Sequence, residues 1–225
     1  MLRLLLICAA LLIPASLVAE TVIATPPPGS LAPTVIINND NKGAKTVTVV
    51  PPGGQQPAPV APATPPVRDP ENTVFLDTTY GRVVIELRPD LAPKTVARIK
   101  ELVRQHFYDG LLFHRVLDGF MAQTGDPKGD GTGGSGRNLQ AEFSKEPHVR
   151  GTVSMARAAN PDSADSQFFI CTGDASFLDG QYTAFGRVLS GMEFVDMLHK
   201  GARANNGMVE HPDKIVKMQM AVDAK

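Results

Sequence analysis

An arginine set among apolar residues is the sequence feature with the clearest potential for chemistry. Arg115 lies in the run Phe-His-Arg-Val at residues 113–116, and a second apolar stretch that contains Gln123 follows at residues 119–126. A guanidinium beside Phe and Met side chains needs a partner, because burial of an unpaired charge is costly. Arg115 alone leaves two roles open: a surface ion pair, or a fixed cation that stabilises a transition state.

Other kinds of catalysis lack the residues they need. The five histidines, His106, His114, His148, His199 and His211, have neither i, i+4 spacing nor a short pairing with cysteine, so we expect no metal and no cofactor. No serine lies in a G-x-S-x-G motif, and the acidic residues form no evident inward-facing pair. His114, within an apolar strand, is predicted to be a hydrogen-bonded core histidine.

Two further features favour structural interpretations. Residues 131–136 match G-x-G-x-x-G literally, but no apolar strand precedes them and no helical pattern follows. They therefore predict a glycine-rich surface loop and not a dinucleotide site. Cys171 lies in an apolar run with no cation nearby to lower its pKa, so we expect a buried and unreactive thiol.

The composition excludes several broad classes. The chain has 225 residues with 22 Lys+Arg against 23 Asp+Glu, a formal net charge of -1. That balance gives no general attraction to nucleic acid, which requires concentrated basic surface. A hydrophobic content of 43% excludes wholesale disorder, and the length allows one sizeable domain.

Residues 1–19 have the pattern of an export signal peptide. Arg3 precedes an apolar run at residues 4–12, Pro14 breaks the helix, and small residues lead to Ala19. Cleavage is expected after Ala19 or as late as residue 24. The apolar run is shorter than the ~20 residues that span a bilayer, so we expect no membrane span after cleavage.

Residues 20–70 differ in composition from the rest of the chain. They carry 12 of the 19 prolines, which predicts a Pro-rich, largely disordered linker. One pattern within it competes with that interpretation. Two β-rich runs, at residues 35–37 and 46–50, flank Asn-Asp-Asn-Lys-Gly, as in a β-hairpin.

Residues 71–225 have the pattern of a folded domain. Residues 73–77 and 82–87 predict paired strands, because apolar residues alternate onto one face. Pro93 can begin a helix, since the first helical position tolerates its missing N–H. The apolar stripe of that helix consists of Val96, Ile99, Leu102 and Val103.

A second helix is predicted to begin at Ser190, where Ser190 and Glu193 fit a capping box, and to end at Lys200 and Gly201. Short apolar runs separated by glycine-rich turns occur at residues 113–116, 120–123, 152–156, 168–172, 183–188 and 215–222. Many short strands with two helices favour a closed, largely antiparallel barrel or sandwich.

Five ordered blocks carry a family resemblance: residues 113–126, 151–157, 166–170, 177–180 and 185–188. Together they resemble the cyclophilin-type peptidyl-prolyl cis-trans isomerases over about residues 72–222. The resemblance implies a mainly β fold, a closed eight-stranded antiparallel β-barrel capped by two α-helices, preceded here by the signal peptide and linker. The loop Gly-Asp-Pro at residues 125–127 resembles bacterial members, which with the export signal implies a periplasmic folding enzyme.

The resemblance also implies site roles. Arg115 would be the catalytic donor, in a non-covalent mechanism that stabilises the twisted amide. The substrate-binding set would be Phe120, Met121, Gln123, Ala156, Arg157, Gln167, Phe169, Phe177, Leu178 and Tyr182. Within it, Phe120, Met121, Phe169 and Leu178 would line the proline pocket. Gln123 would bind the substrate backbone, and Ala156 and Arg157 would hold the preceding residues through main-chain groups.

Three positions depart from the best-known eukaryotic pattern: Phe177 stands where Trp is common, Tyr182 where His is common and Arg157 where Asn is common. Phe177 lacks the indole N–H, so we expect intact catalysis and weak binding of the family inhibitor cyclosporin. The expected partners are unfolded or nascent exported polypeptides containing Xaa-Pro, and we expect a monomer. The alternative is a non-catalytic module that binds proline segments and is tethered by the Pro-rich arm.

Overall fold

The computed structural model describes residues 67–224 and three strands that precede them. The chain divides into two compact units, residues 1–60 and 61–225. In the first, β1 (Thr21–Ala24), β2 (Thr34–Asn39) and β3 (Lys45–Val50) form an antiparallel sheet in the order β1-β2-β3. The pair β2 and β3 lies where the sequence suggests a hairpin, within the segment expected to be a largely disordered linker. The predicted signal peptide lies outside the described residues.

The second unit contains a single eight-stranded sheet and two α-helices. Its strands are β4 (Thr73–Thr78), β5 (Arg82–Leu87), β6 (Arg115–Leu117), β7 (Met121–Thr124), β8 (Thr152–Met155), β9 (Phe168–Cys171), β10 (Ala184–Ser190) and β11 (Ile215–Met220). The helices are α1 (Pro93–Arg104) and α2 (Met192–Asp196). All strand pairs are antiparallel, in the order β11-β4-β5-β10-β8-β9-β7-β6. The prediction of a mainly β fold is confirmed.

Alternation in the strands builds the main core. Val74 pairs with Ile85 across β4 and β5, and both side chains are buried. α1 begins with Pro93 at its first turn and adds its apolar stripe to the same core. In β9 the faces alternate: Phe168 joins this core, whereas Phe169 faces a second, smaller cluster. That smaller cluster forms the floor of the candidate site.

The sheet does not close into a continuous barrel. Its edge strands β6 and β11 do not pair with each other as strands. The segments beside them meet through the isolated bridges Leu112 with Lys214 and Arg115 with Met208 and through scattered backbone hydrogen bonds. The segment before β11 cannot run as a strand, because Asn206 has a positive φ of 59° and Pro212 has no backbone N–H. The predicted closed barrel is therefore corrected to an open, curled eight-stranded sheet with two helices.

The second helix also differs from its prediction. Ser190 is the last residue of β10 and pairs with Val84, so its side chain does not cap a helix. Gly191 caps α2 instead, with φ of 90°, and a Cβ at that position would lie 2.4 Å from the carbonyl oxygen of Arg82. α2 ends at Asp196, short of the predicted end at Lys200. Among the described residues, no helix is both long and apolar enough to cross a membrane.

Candidate active site

A cavity of about 460 Å³ lies over β6, β7 and β9 and gathers most of the predicted site residues. It is lined by Arg115, Phe120, Met121, Gln123, Ala156, Arg157, Phe169, Phe177, Leu178 and Tyr182 of that set. The remaining predicted residue, Gln167, lines an adjoining cavity of about 230 Å³. Residues that are separated by up to 67 positions in the chain are thus brought to one surface, as the prediction requires.

Arg115 is held at the edge of the sheet by neutral oxygen atoms. Its Nε donates to the carbonyl oxygen of Asn206 at 2.8 Å, and Nη2 donates to Asn206 Oδ1 at 3.0 Å. Nη1 donates to Gln123 Oε1 at 3.0 Å, because Arg115 and Gln123 are cross-strand partners on β6 and β7. Burial lowers the pKa of Arg115, yet an arginine remains charged at neutral pH.

The surface ion pair that the sequence left open is absent. Among residues 67–224, no carboxylate lies within ion-pair distance of Arg115. Its positive charge is therefore oriented by neutral groups and is not cancelled. Such a group can stabilise a developing charge or lone pair more strongly than an arginine already paired with an acid.

A hydrogen-bonded chain continues from Arg115 to the glycine-rich loop. Gln123 Nε2 donates to Gln167 Oε1 at 2.9 Å. Gln167 Nε2 in turn donates to the carbonyl oxygens of Gly131 and Gly133 at 3.0 and 2.8 Å. We call Asn206, Arg115, Gln123 and Gln167 the amide–guanidinium chain. The loop predicted only as a surface feature thus anchors one end of it.

The cavity floor is apolar. Met121, Phe169 and Leu178 are buried there with Cys171 and pack together. Burial raises the pKa of the Cys171 thiol to about 12, which agrees with the expected unreactive thiol. At the rim, the Phe177 ring is 64% exposed and lies 5.4 Å from that of Phe120. A fixed cation therefore adjoins an apolar slot.

Comparison with known proteins decides the family. The family model described as "Cyclophilin type peptidyl-prolyl cis-trans isomerase/CLD" matches residues 73–220. The chain belongs to the cyclophilins. The "Probable peptidyl-prolyl cis-trans isomerase" of Brucella suis is 58% identical over 169 residues, covering 70% of this chain and 86% of the relative. The activity of the present chain is peptidyl-prolyl cis-trans isomerisation.

Solved cyclophilin structures have the same fold. The cyclophilin AquaCyp293 from Hirschia baltica has a TM-score of 0.63 at 31% identity, covering 70% of this chain and 76% of that chain. A cyclophilin from Cryptosporidium parvum, whose crystal structure was determined in the presence of the dipeptide Ala-Pro, has a TM-score of 0.60 at 29% identity. The match between the two structures covers 66% of this chain and 98% of the Cryptosporidium chain.

The sequence did not reveal every residue of this cyclophilin's cavity. Asn206 lies 91 positions beyond Arg115, in a segment without periodicity, and its one sequence signal is the turn-forming run Asn-Asn-Gly. Met208 also lines the cavity. His114 is 1% exposed, but neither ring nitrogen has a hydrogen-bond partner among the described residues. The prediction of a core histidine is therefore confirmed, whereas the predicted hydrogen bond to a ring nitrogen is not found there. Burial lowers the pKa of His114 by desolvation.

Replacing Asn206 with glycine tests how the cyclophilin orients its arginine. Glycine accepts the positive φ and keeps the carbonyl that binds Nε, but removes the Oδ1 acceptor of Nη2. We expect kcat to fall by about three- to tenfold, the equivalent of one lost hydrogen bond, with KM and Tm nearly unchanged. The neighbouring Asn205→Ala is the control. An unaltered kcat in N206G with the wild-type Tm would show that the side chain does not orient Arg115.

Proposed function

We propose that this cyclophilin rotates Xaa-Pro bonds in exported polypeptides, with Arg115 as the hydrogen-bond donor to the prolyl nitrogen. Amide resonance creates a barrier of ~18–20 kcal/mol. In the twisted state the nitrogen becomes pyramidal and its lone pair can accept a hydrogen bond. A donor aimed at that lone pair stabilises the twisted state more than either planar state, which is the condition for acceleration.

The observation that carries this proposal is the set of acceptors that the N–H groups of Arg115 bind. A guanidinium offers five N–H groups. Three of them are directed to Asn206 and Gln123, and Nη1 also lies 4.0 Å from Met121 Sδ. The orientation is therefore fixed, while one N–H of Nη2 keeps no acceptor among the described residues. Since these partners are neutral, no carboxylate must be displaced when a substrate arrives.

Other polar groups in the cavity have unused capacity for a substrate backbone. Gln123 accepts from Arg115 and donates one Nε2 hydrogen to Gln167. Its second amide hydrogen has no acceptor within residues 67–224. The Ala156 N–H donates to the Gln167 carbonyl at 2.9 Å. The carbonyl of Ala156 is therefore the group we assign to substrate binding. The prolyl ring would sit on Met121, Phe169 and Leu178.

We also propose the periplasm as the place of action. Support comes from residues 1–19, whose charged start, short apolar run and small terminal residues fit a cleaved signal peptide. A folding assistant, or chaperone-like role, for exported chains follows from that location. Fusion of residues 1–24 to a reporter that is active only after export is the test, and an inactive fusion would exclude the location.

The enzymatic proposal is tested on the chain without residues 1–19. A short Xaa-Pro peptide is held at cis–trans equilibrium, and its exchange rate is followed as the protein concentration rises. We expect exchange to accelerate in proportion to the protein concentration. Peptide binding without acceleration would instead support a non-catalytic module tethered by the Pro-rich arm.

Cyclosporin should bind weakly. Phe177 lies at the cavity rim with its ring 64% exposed, and a phenyl ring offers apolar contact but no N–H donor. Direct titration should therefore give a dissociation constant well above the nanomolar range, and Phe177→Trp should tighten binding. A nanomolar constant for the unmodified chain would contradict this expectation.

A further inference from the structure

The side chain of a second arginine in the cavity has no role in the function proposed above. Arg157 follows β8, and its guanidinium carbon lies 4.5 Å from the centroid of the Tyr182 ring. Nε and Nη2 donate to the carbonyl oxygen of Gln181 at 3.2 and 3.1 Å, and Nη1 donates to that of Ala158 at 2.9 Å. The side chain is thus fixed by an aromatic face and neutral carbonyls.

The charge of Arg157 is not cancelled by a neighbouring acid. Arg82, Arg88 and Arg150 each form an ion pair with an aspartate. Within residues 67–224, neither Arg157 nor Arg115 does so. The cavity therefore holds two guanidinium groups with neutral partners.

Two carboxylates also line these cavities, but both are engaged elsewhere. Asp130 Oδ1 accepts from the backbone N–H and the hydroxyl of Thr132. Asp165 accepts from the backbone N–H groups of Ser135, Gly136 and Arg137. Asp130 through Oδ1 and Asp165 through both oxygens thus hold the glycine-rich loop. Nη2 of Arg157, in contrast, keeps one N–H without an acceptor among the described residues.

The position of Arg157 places its charge beside the path of the substrate. It lines both the 460 Å³ cavity and the adjoining 230 Å³ cavity, and Gln123 and Ala156 are also common to both. With the prolyl ring on the apolar floor and the Ala156 carbonyl binding the chain, as proposed above, the preceding residues would extend toward this boundary. A side chain there can reach the guanidinium.

We propose that Arg157 makes this cyclophilin prefer substrates with an Asp or Glu side chain in the two residues before the proline. The preference rests on the proposed binding direction. A carboxylate at that place would accept from the free N–H of Arg157 and lie near a positive charge that is already oriented, so little ordering is needed. A neutral amide of the same shape gains less, and an ammonium group is repelled.

The test compares peptides that differ only by Glu, Gln or Lys, placed either directly before the proline or one residue earlier. The chain without residues 1–19 is assayed beside Arg157→Gln and the control Arg187→Gln, which removes the same charge from an exposed position on β10 outside both cavities. We expect kcat/KM to be about three- to tenfold higher for Glu than for Gln at one or both positions, and lowest for Lys. R157Q should abolish that ratio and R187Q should keep it.

Salt supplies an independent measurement if R157Q fails to fold. Raising the salt from about 0.05 to 0.5 M shortens the range of charge interactions, so the Glu-to-Gln ratio should fall toward one. Equal rates for Glu and Gln in the unmodified chain, or a preference retained in a folded R157Q, would overturn the proposal. A preference for Lys would overturn it as well, showing that Asp130 and Asp165 dominate. If the unmodified chain failed to accelerate exchange of the Gln peptides, the proposed catalytic function itself would be refuted.

Discussion

Replacing Arg115 with alanine should lower kcat/KM for a short Xaa-Pro peptide by at least about tenfold, about 1.4 kcal/mol of lost transition-state stabilisation. The loss should appear in kcat, because the donor is needed in the twisted state and not in the planar one. The apolar floor of Met121, Phe169 and Leu178 is untouched, so peptide binding should persist. Exchange of the peptide at several enzyme concentrations measures both quantities.

The matched control is Arg203→Ala. Arg203 donates to the carbonyl of Asp118 on the surface and does not line the cavity, so the change removes an equal charge and a comparable hydrogen bond. Its kcat/KM should remain within about twofold of the unmodified chain. Equal kcat/KM values for R115A and R203A would show that another group stabilises the twisted amide. Binding without turnover in every protein would favour the non-catalytic module.

Replacing Phe168 with alanine should lower the free energy of unfolding by about 3–5 kcal/mol, the usual range for deletion of a buried ring. The Phe168 side chain is 0% exposed. Its ring makes edge contacts with Tyr108 and Phe185, at centroid distances of 5.5 and 6.1 Å. Few local shifts can fill the space that the ring leaves, since it is enclosed in the main core. Urea denaturation followed by circular dichroism gives the change.

Phe177→Ala is the control for that measurement, because its ring is mostly exposed. Removing it should alter the unfolding free energy by less than about 0.5 kcal/mol, although it changes the rim of the cavity. If F168A lost less than about 1 kcal/mol with an unchanged m-value, the core around β9 would have to repack more freely than its contacts indicate.

Local patterns predicted the regular elements well. Alternating apolar residues place β4 and β5 at nearly their observed bounds, and Pro93 begins α1 as expected. Most of the cavity residues could be predicted from the sequence for a different reason. Arg115 and Gln123 flank a short turn, so adjacent strands bring them opposite each other. Both residues lie in the first of the five blocks that carried the resemblance on which the site prediction depended.

Long-range pairing accounts for what the sequence did not predict. Ser190 and Glu193 fit a capping box, but pairing of Ser190 with Val84 extends β10 and moves the helix start past Gly191. The partnership between Asn206 and Arg115 depends on where two distant segments meet. No periodic pattern in the sequence indicates where these segments come together. None indicates that the sheet stays open between β6 and β11.

The amide–guanidinium chain has a consequence for the order of events during biosynthesis. Its members are contributed from residue 115 to residue 206, and the Arg115 anchor at Asn206 is 91 positions downstream. A nascent chain that has been extended only to about residue 200 holds Arg115 without the two oxygen atoms of Asn206 that accept from its Nε and Nη2. Arg115 is therefore oriented only after the segment that contains Asn206 has been added, later in synthesis than β6, β7 and β9 beneath the cavity.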